Sequence, residues 1–146
     1  MEVTTPQTDA EFTRYYDLRW QVLRAPWGEP MGSERDELDA SADHAVVWGE
    51  DGSALAVGRL HFNSPAEAQI RYMAVTPQAR GRGLGRAIVE HIETLACRQG
   101  AERIVLNSRD DATEFYARLG FEVVGAGPTM FGSVAHVRMI KRLVAD

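Results

Sequence analysis

Arg80, Gly81, Arg82, Gly83, Leu84, Gly85 and Arg86 form the stretch of this sequence best suited to holding an anion. Glycines let the backbone curl so that several N–H groups face one point. At the start of a helix that point is also the positive end of the dipole. Guanidinium groups beside it add charge-assisted hydrogen bonds, which suits a phosphate. The spacing excludes two common phosphate loops. No Gly-Lys-Ser/Thr follows, so this is not a Walker loop. The third glycine comes one residue early for G-x-G-x-x-G, with Arg86 in its place, and Asn107 stands where a dinucleotide fold wants an acidic ribose ligand. A glycine-rich turn with solvated arginines is the bland reading of the loop alone.

A second set of residues suits proton transfer. His61, His136 and Glu34 can act as general bases, directly or through water. For each, a structural or solvated role is the commoner one. Glu34, Asp36, Glu37 and Asp39 can attract a cationic amine, or can equally form a solvated, capped turn. Cys97 is the only cysteine, which excludes an internal disulfide and fits a reducing cytoplasm. Its place late in a helix suggests packing.

The elements that must position these groups follow from periodicity and punctuation. Glu2 to Thr5 suits a short first strand. Thr8 suits an N-cap, with Glu11 three residues on as a capping box, and the helix should end before Pro26. Asp51-Gly52 marks a hairpin between strands over 44–49 and 54–62. A strand over 68–75 delivers the chain to the glycine loop. Strict alternation would put Arg71 on the face opposite Ile70 and Tyr72. Leu84, Ile88, Ile92 and Leu95 then line one face of a helix that Gly100 ends. A buried strand over 103–106, a short helix over 110–119 and strands over 121–124 and 135–140 follow. The expected order is β-α-β-β-β-α-β-α-β-β, an α/β layout with a mixed central sheet and helices on both faces. The last strand, near 135–140, is expected at an edge and able to pair across a homodimer.

Composition narrows the function classes. With 146 residues, 45% hydrophobic and 25% charged, the chain suits one domain spanning 1–146. A net charge of −5 argues against a general nucleic-acid partner. There is no apolar run near 18 residues and no signal-like N-terminus, so no membrane partner is expected and the cytoplasm is the expected location. No metal-ligand spacing stands out.

The run Arg80-Gly81-Arg82-Gly83-Leu84-Gly85 resembles the R/Q-x-x-G-x-G/A pyrophosphate loop of the GNAT N-acetyltransferases. Ala112-Thr113-Glu114-Phe115-Tyr116-Ala117-Arg118-Leu119-Gly120-Phe121 is similar to that family's A-x-x-F-Y-x-x-L-G-F signature, and the element order matches over nearly the whole chain. The resemblance implies acetyl-CoA as co-substrate and no metal. It implies that a strand pair splays beside the loop. Pantetheine would then run along Met73, Ala74 and Val75, with the loop residues on the pyrophosphate and Asn107, Ala112 and Phe115 facing the thioester arm. It implies Tyr116 as general acid, a backbone N–H at Met73 or Ala74 as oxyanion donor, and an amine acceptor, either a small molecule or a protein. The acceptor side would come from the first helix, the 25–40 loop and the last hairpin, with Trp27, Glu34 and Arg71 facing substrate. A packing role for Tyr116 is the competing reading.

A narrower resemblance rests on Leu18 to Arg24, Gly32 to Asp39, and His136, Met139 and Lys141. These are similar to a bacterial GNAT subgroup that includes domains fused to thioesterase-like domains. Because the sequence stops at Asp146, the fused domain is expected to be absent. The same subgroup implies a rival function: decarboxylation of malonyl groups on coenzyme A or acyl carrier protein, with Arg71, His61 and His136 holding the malonyl thioester. A non-catalytic CoA-binding module is the third reading.

Overall fold

In the computed structural model, which describes residues 2–143, three helices pack on a six-stranded mixed sheet. The elements are α1 (Asp9–Leu23), β1 (Asp43–Trp48), β2 (Ala54–Ser64), β3 (Glu67–Val75), α2 (Leu84–Arg98), β4 (Arg103–Arg109), α3 (Thr113–Arg118), β5 (Glu122–Met130) and β6 (Val134–Arg142). The sheet order is β1-β2-β3-β4-β6-β5, and only β3 and β4 run parallel.

Each helix forms where its signals lie. Thr8 caps α1 by accepting from the Glu11 N–H at 3.1 Å. The Glu11 carboxylate reaches back one residue further than a capping box requires, to the Gln7 N–H. In α2, Ile88, Val89 and Ile92 are fully buried against β1, β2 and β3, worth about 1.5–3 kcal/mol each. Gly100, at φ +89°, follows its C-cap. On the opposite face, Tyr15 and Leu18 of α1 pack on Val46, Val57 and Ala74.

Four expectations change. The 2–5 strand is reduced to one bridge, Thr4 exchanging two hydrogen bonds with Val46, because Pro6 offers no N–H to extend it. The strand containing 135–140 is interior, between β4 and β5, so β5 holds the edge. Cys97 is exposed and does not pack.

The fourth concerns β3. Arg71 pairs with Arg59 and Ala74 with Val57, so Tyr72 and Met73 together face Gly58. This is a β-bulge, with Tyr72 at φ +58°. It puts Arg71 and Tyr72 on the same face, the Arg71 guanidinium lying 4.5 Å from the Tyr72 ring centroid. Only glycine fits opposite: a Cβ at Gly58 would come within 2.6 Å of Ile88 and 2.7 Å of Met73. The bulge bends β3, and pairing with β4 stops at Gln69–Val105, two residues before Arg71. Beyond that point the two parallel strands splay.

Candidate active site

The splay opens a cavity of about 1120 Å³ between β3 and β4. Met73, Ala74 and Val75 form one wall and Asn107 stands on the other. The β3 edge facing the splay has no strand partner past Gln69, so apart from the Val75 carbonyl, which accepts from Arg80 Nε at 3.4 Å, its backbone groups on that side are open to an extended ligand. At the far end the glycine loop closes into α2. Gly81 and Gly83 take φ +81° and +77°, a curl open to glycine at little cost. Ala87 is the first residue to donate back, to the Gly83 carbonyl, so the N–H groups ahead of it point out of the helix end. Gly81, Gly83, Leu84 and Gly85 line the cavity, and so do Arg80 and Arg86. Arg82 does not. It lines a separate, smaller cavity beside Trp48 and Leu55.

Ala112, Phe115 and Tyr116 line the cavity from a 3-10 turn over Asp110–Ala112 and from α3. Phe115 meets Tyr116 edge to face at 5.0 Å. Burial alone raises the Tyr116 phenol above its ordinary value of 10.0, so it holds its proton at neutral pH. His136 lies on β6 opposite Arg109 and also lines the cavity. Its Nδ1 is 3.0 Å from the Val134 carbonyl, an arrangement that assigns the proton to Nδ1 and leaves Nε2 as an acceptor.

His61 and Glu34 lie elsewhere. His61 Nδ1 accepts from Arg59 at 3.1 Å, and burial, then the Arg59 charge, lowers its proton affinity. Glu34 is buried and holds the Gly32 N–H and Arg35. The acidic turn also has a structural use. Asp36 caps a 3-10 turn over Glu37–Ala40 and forms a two-bond pair with Arg59, while Asp39 receives Arg19 at 2.8 Å and Arg59 at 3.1 Å. Burial raises both carboxyl groups, but their guanidinium partners more than offset this and hold both below the usual range. Tyr15 and His44 complete the network. Tyr15 accepts from Arg19 at 3.0 Å, and His44 Nε2 donates to the Asp39 carbonyl at 2.8 Å. Burial, and then Arg19, keeps His44 neutral.

The α1 terminus and the β5–β6 turn also line the cavity. Leu23, Arg24, Pro26 and Trp27 meet Pro128, Met130 and Phe131 across the cavity. Phe131 and Gly132 sit at φ +53° and +75° in a two-residue turn closed by Ser133 N–H to Met130 O. A left-handed phenylalanine costs about 1–3 kcal/mol. Its ring stacks on Trp27 at 6.4 Å. Trp20 Nε1 ties down the loop through the Glu29 carbonyl. Neither Arg24 nor Phe131 stood out in the sequence. Arg24 belongs to a motif whose partner segment begins only at Gly32, and nothing local marks Phe131 as a turn residue.

Among the described residues no group of three potential ligands is placed to hold a metal, and no helix is long and apolar enough to cross a membrane.

Comparison with known proteins supports the fold. The acetyltransferase (GNAT) family matches residues 12–121. A Bacillus subtilis protein described as an uncharacterized N-acetyltransferase, YjcF, is 24% identical over 142 residues, covering 97% of this chain and 99% of that one. An acyl-CoA N-acyltransferase from Pseudomonas aeruginosa superposes with a TM-score of 0.79 at 24% identity, over 96% of this chain and 97% of that one. An aminoglycoside 6′-N-acetyltransferase solved with coenzyme A superposes at 0.81 and 14% identity, over 100% of this chain and 99% of that one.

Proposed function

We propose, for a chain that belongs to the acetyltransferase (GNAT) family, that it moves the acetyl group of acetyl-CoA to a primary amine by direct attack in a ternary complex. The observation that carries this reading is the continuous cavity joining the open helix end, the unpaired edge of β3, Tyr116 and His136. The pyrophosphate lies on the loop amides with Arg80 and Arg86 beside it, and Arg82 contributes backbone only. Pantetheine extends along Met73 and Val75, with Asn107 opposite.

The amine nitrogen attacks the thioester carbon, forming the C–N bond while the carbonyl π electrons move to oxygen. The Met73 or Ala74 N–H receives that charge, a term often worth about 2.7–4 kcal/mol. Collapse breaks the C–S bond. Tyr116 gives its proton to the departing thiolate, and the amine proton passes to His136 Nε2, directly or through water. Of the candidate bases, His136 has an open nitrogen at the cavity, whereas His61 is engaged with Arg59.

The test is mass spectrometry of the purified protein with acetyl-CoA and a mixed amine panel, beside malonyl-CoA without amine. Free CoA together with an amine 42 Da heavier, about the mass of an added acetyl group less hydrogen, is the expected result. Conversion of malonyl-CoA to acetyl-CoA with no amine acetylated would replace transfer by decarboxylation.

A further inference from the structure

Most carboxylates near the acceptor end are already engaged; Glu29 forms no ion pair among the described residues and acts on Arg24 only at a distance, raising its proton affinity. Asp36 and Asp39 face three guanidinium groups, those of Arg19, Arg59 and Arg71. Asp111, the acidic residue of the cavity wall, is held by both a 2.8 Å and a 3.1 Å bond from Arg109. Arg24 stands apart. It is 7% exposed, it lines the cavity, and it has no carboxylate within ion-pair distance among the described residues. Its Nε donates to the Ser33 carbonyl at 3.0 Å and its Nη1 to the Leu23 carbonyl at 3.1 Å. Those two bonds fix the fork and leave Nη2 without a described partner.

Arg71 lines the same cavity with a half-exposed side chain and spends one Nη on Asp36. The two guanidinium carbons lie 5.6 Å and 4.5 Å from the same Tyr72 ring centroid. Arg24 is also 5.2 Å from the Phe131 ring. A buried guanidinium without a counter-ion is costly. Burial lowers the Arg24 proton affinity, as expected for a cation missing its partner. A planar fork beside a second arginine matches a carboxylate or phosphate oxygen pair.

We propose that the acceptor amine carries a compact anionic group, a carboxylate or phosphate, which Arg24 and Arg71 grip beneath Trp27 and Phe131. This rests on the transferase reading and names its substrate class. Of the two sequence-based readings of the acidic run, it runs against the attraction of a cationic amine: Asp36 and Asp39 are consumed by arginines, and polyamines or aminoglycosides would meet positive charge.

The test pairs each anionic amine with its neutral counterpart at fixed acetyl-CoA: phenylalanine with phenylalaninamide, and O-phosphoethanolamine with ethanolamine, beside spermidine. Acetylation should favour at least one anionic member by tenfold or more in kcat/KM, and the two pairs distinguish carboxylate from phosphate. Arg24→Gln and Arg71→Gln should each raise KM for that acceptor about tenfold, with KM for acetyl-CoA held within twofold. Equal use of charged and neutral partners, or preference for spermidine, would overturn the anion site and leave the transferase intact. Because Arg24→Gln removes a buried group that also anchors the loop, the half-exposed Arg71→Gln serves as the second variant. A binding measurement covers a panel that lacks the true acceptor. With the loop saturated by CoA, inorganic phosphate or phenylalanine should raise the melting temperature of the native protein, and Arg71→Gln should abolish the shift. No anion-dependent shift sinks the proposal. Consumption of malonyl-CoA without amine would instead overturn the transferase reading beneath it.

Discussion

Two polar regions lie on either side of Tyr72, and they differ in one respect. Beneath α1, Arg19, Arg59, Asp36, Asp39, Tyr15 and His44 saturate one another, with the Nε atoms of Arg19 and Arg59 as the unpaired exceptions. In the cavity, the helix-end amides, the β3 edge and Arg24 Nη2 have donors to spare. Donors that find protein partners hold a fold together, and donors that open on a cavity are left for a ligand. The same residue types serve both ends, so residue type alone did not separate structure from function here.

The contrast is sharpest if mutations on the two sides fail in different assays. The largest effect expected is from Tyr116→Phe, which should lower kcat about 10²–10⁴-fold, the range for general acid catalysis, with the Kd for acetyl-CoA nearly unchanged. Full turnover would return Tyr116 to packing. Next, Asp39→Ala should cost about 3–5 kcal/mol of stability by chemical denaturation, because it takes from buried Arg19 its one carboxylate and leaves buried Arg59 with Asp36 alone. A loss of activity without loss of stability would move Asp39 from the network to the site. Arg80→Ala should weaken CoA binding by about 1.5–3 kcal/mol in calorimetry, whereas Arg82→Ala should do so by less than about 0.5 kcal/mol. Reversed ranks would show that the Arg82 side chain swings onto the phosphate.

The smallest effect is one of pH. His44 is kept neutral, with a folded value below its ordinary 6.5. A base whose value is depressed by folding stabilises fully above its unfolded value and loses that contribution as pH falls toward the folded one. The unfolding free energy from urea titration should therefore drop as pH goes below 6.5, by no more than about 1.4 kcal/mol per pH unit from this group. His44→Gln should flatten part of that slope, leaving the share that His61, also lowered, contributes. An unchanged slope would remove His44 from the pH response.

What could be read in the sequence was what is local in it. The α2 stripe, the glycine loop and the Phe115-Tyr116 pair each lie within a few turns of chain; the stripe is buried, the loop opens α2 and the pair lines the cavity. The network was hidden because Arg19 and Asp39 are 20 residues apart and Arg59 and Asp36 are 23 apart. Acidic residues seen alone read as a solvated turn. Alternation misplaced Tyr72 because a bulge leaves no mark in residue type except the glycine opposite, Gly58. Arg24 and Phe131 were missed for a similar reason, since each acquires meaning only from the other.

The bulge at Tyr72 also bears on descent. The β2–β3 ladder is in register on both sides of it, with one residue to spare. Deleting a single codon there would leave Ile70, Arg71, Met73 and Ala74 on the faces they now occupy and make the ladder continuous from Ala56 to Phe62. The core would survive, while the bend that parts β3 from β4 would go. A lineage could thus shed its pocket and keep its scaffold in one genetic step, and a reversal would need only the codon restored.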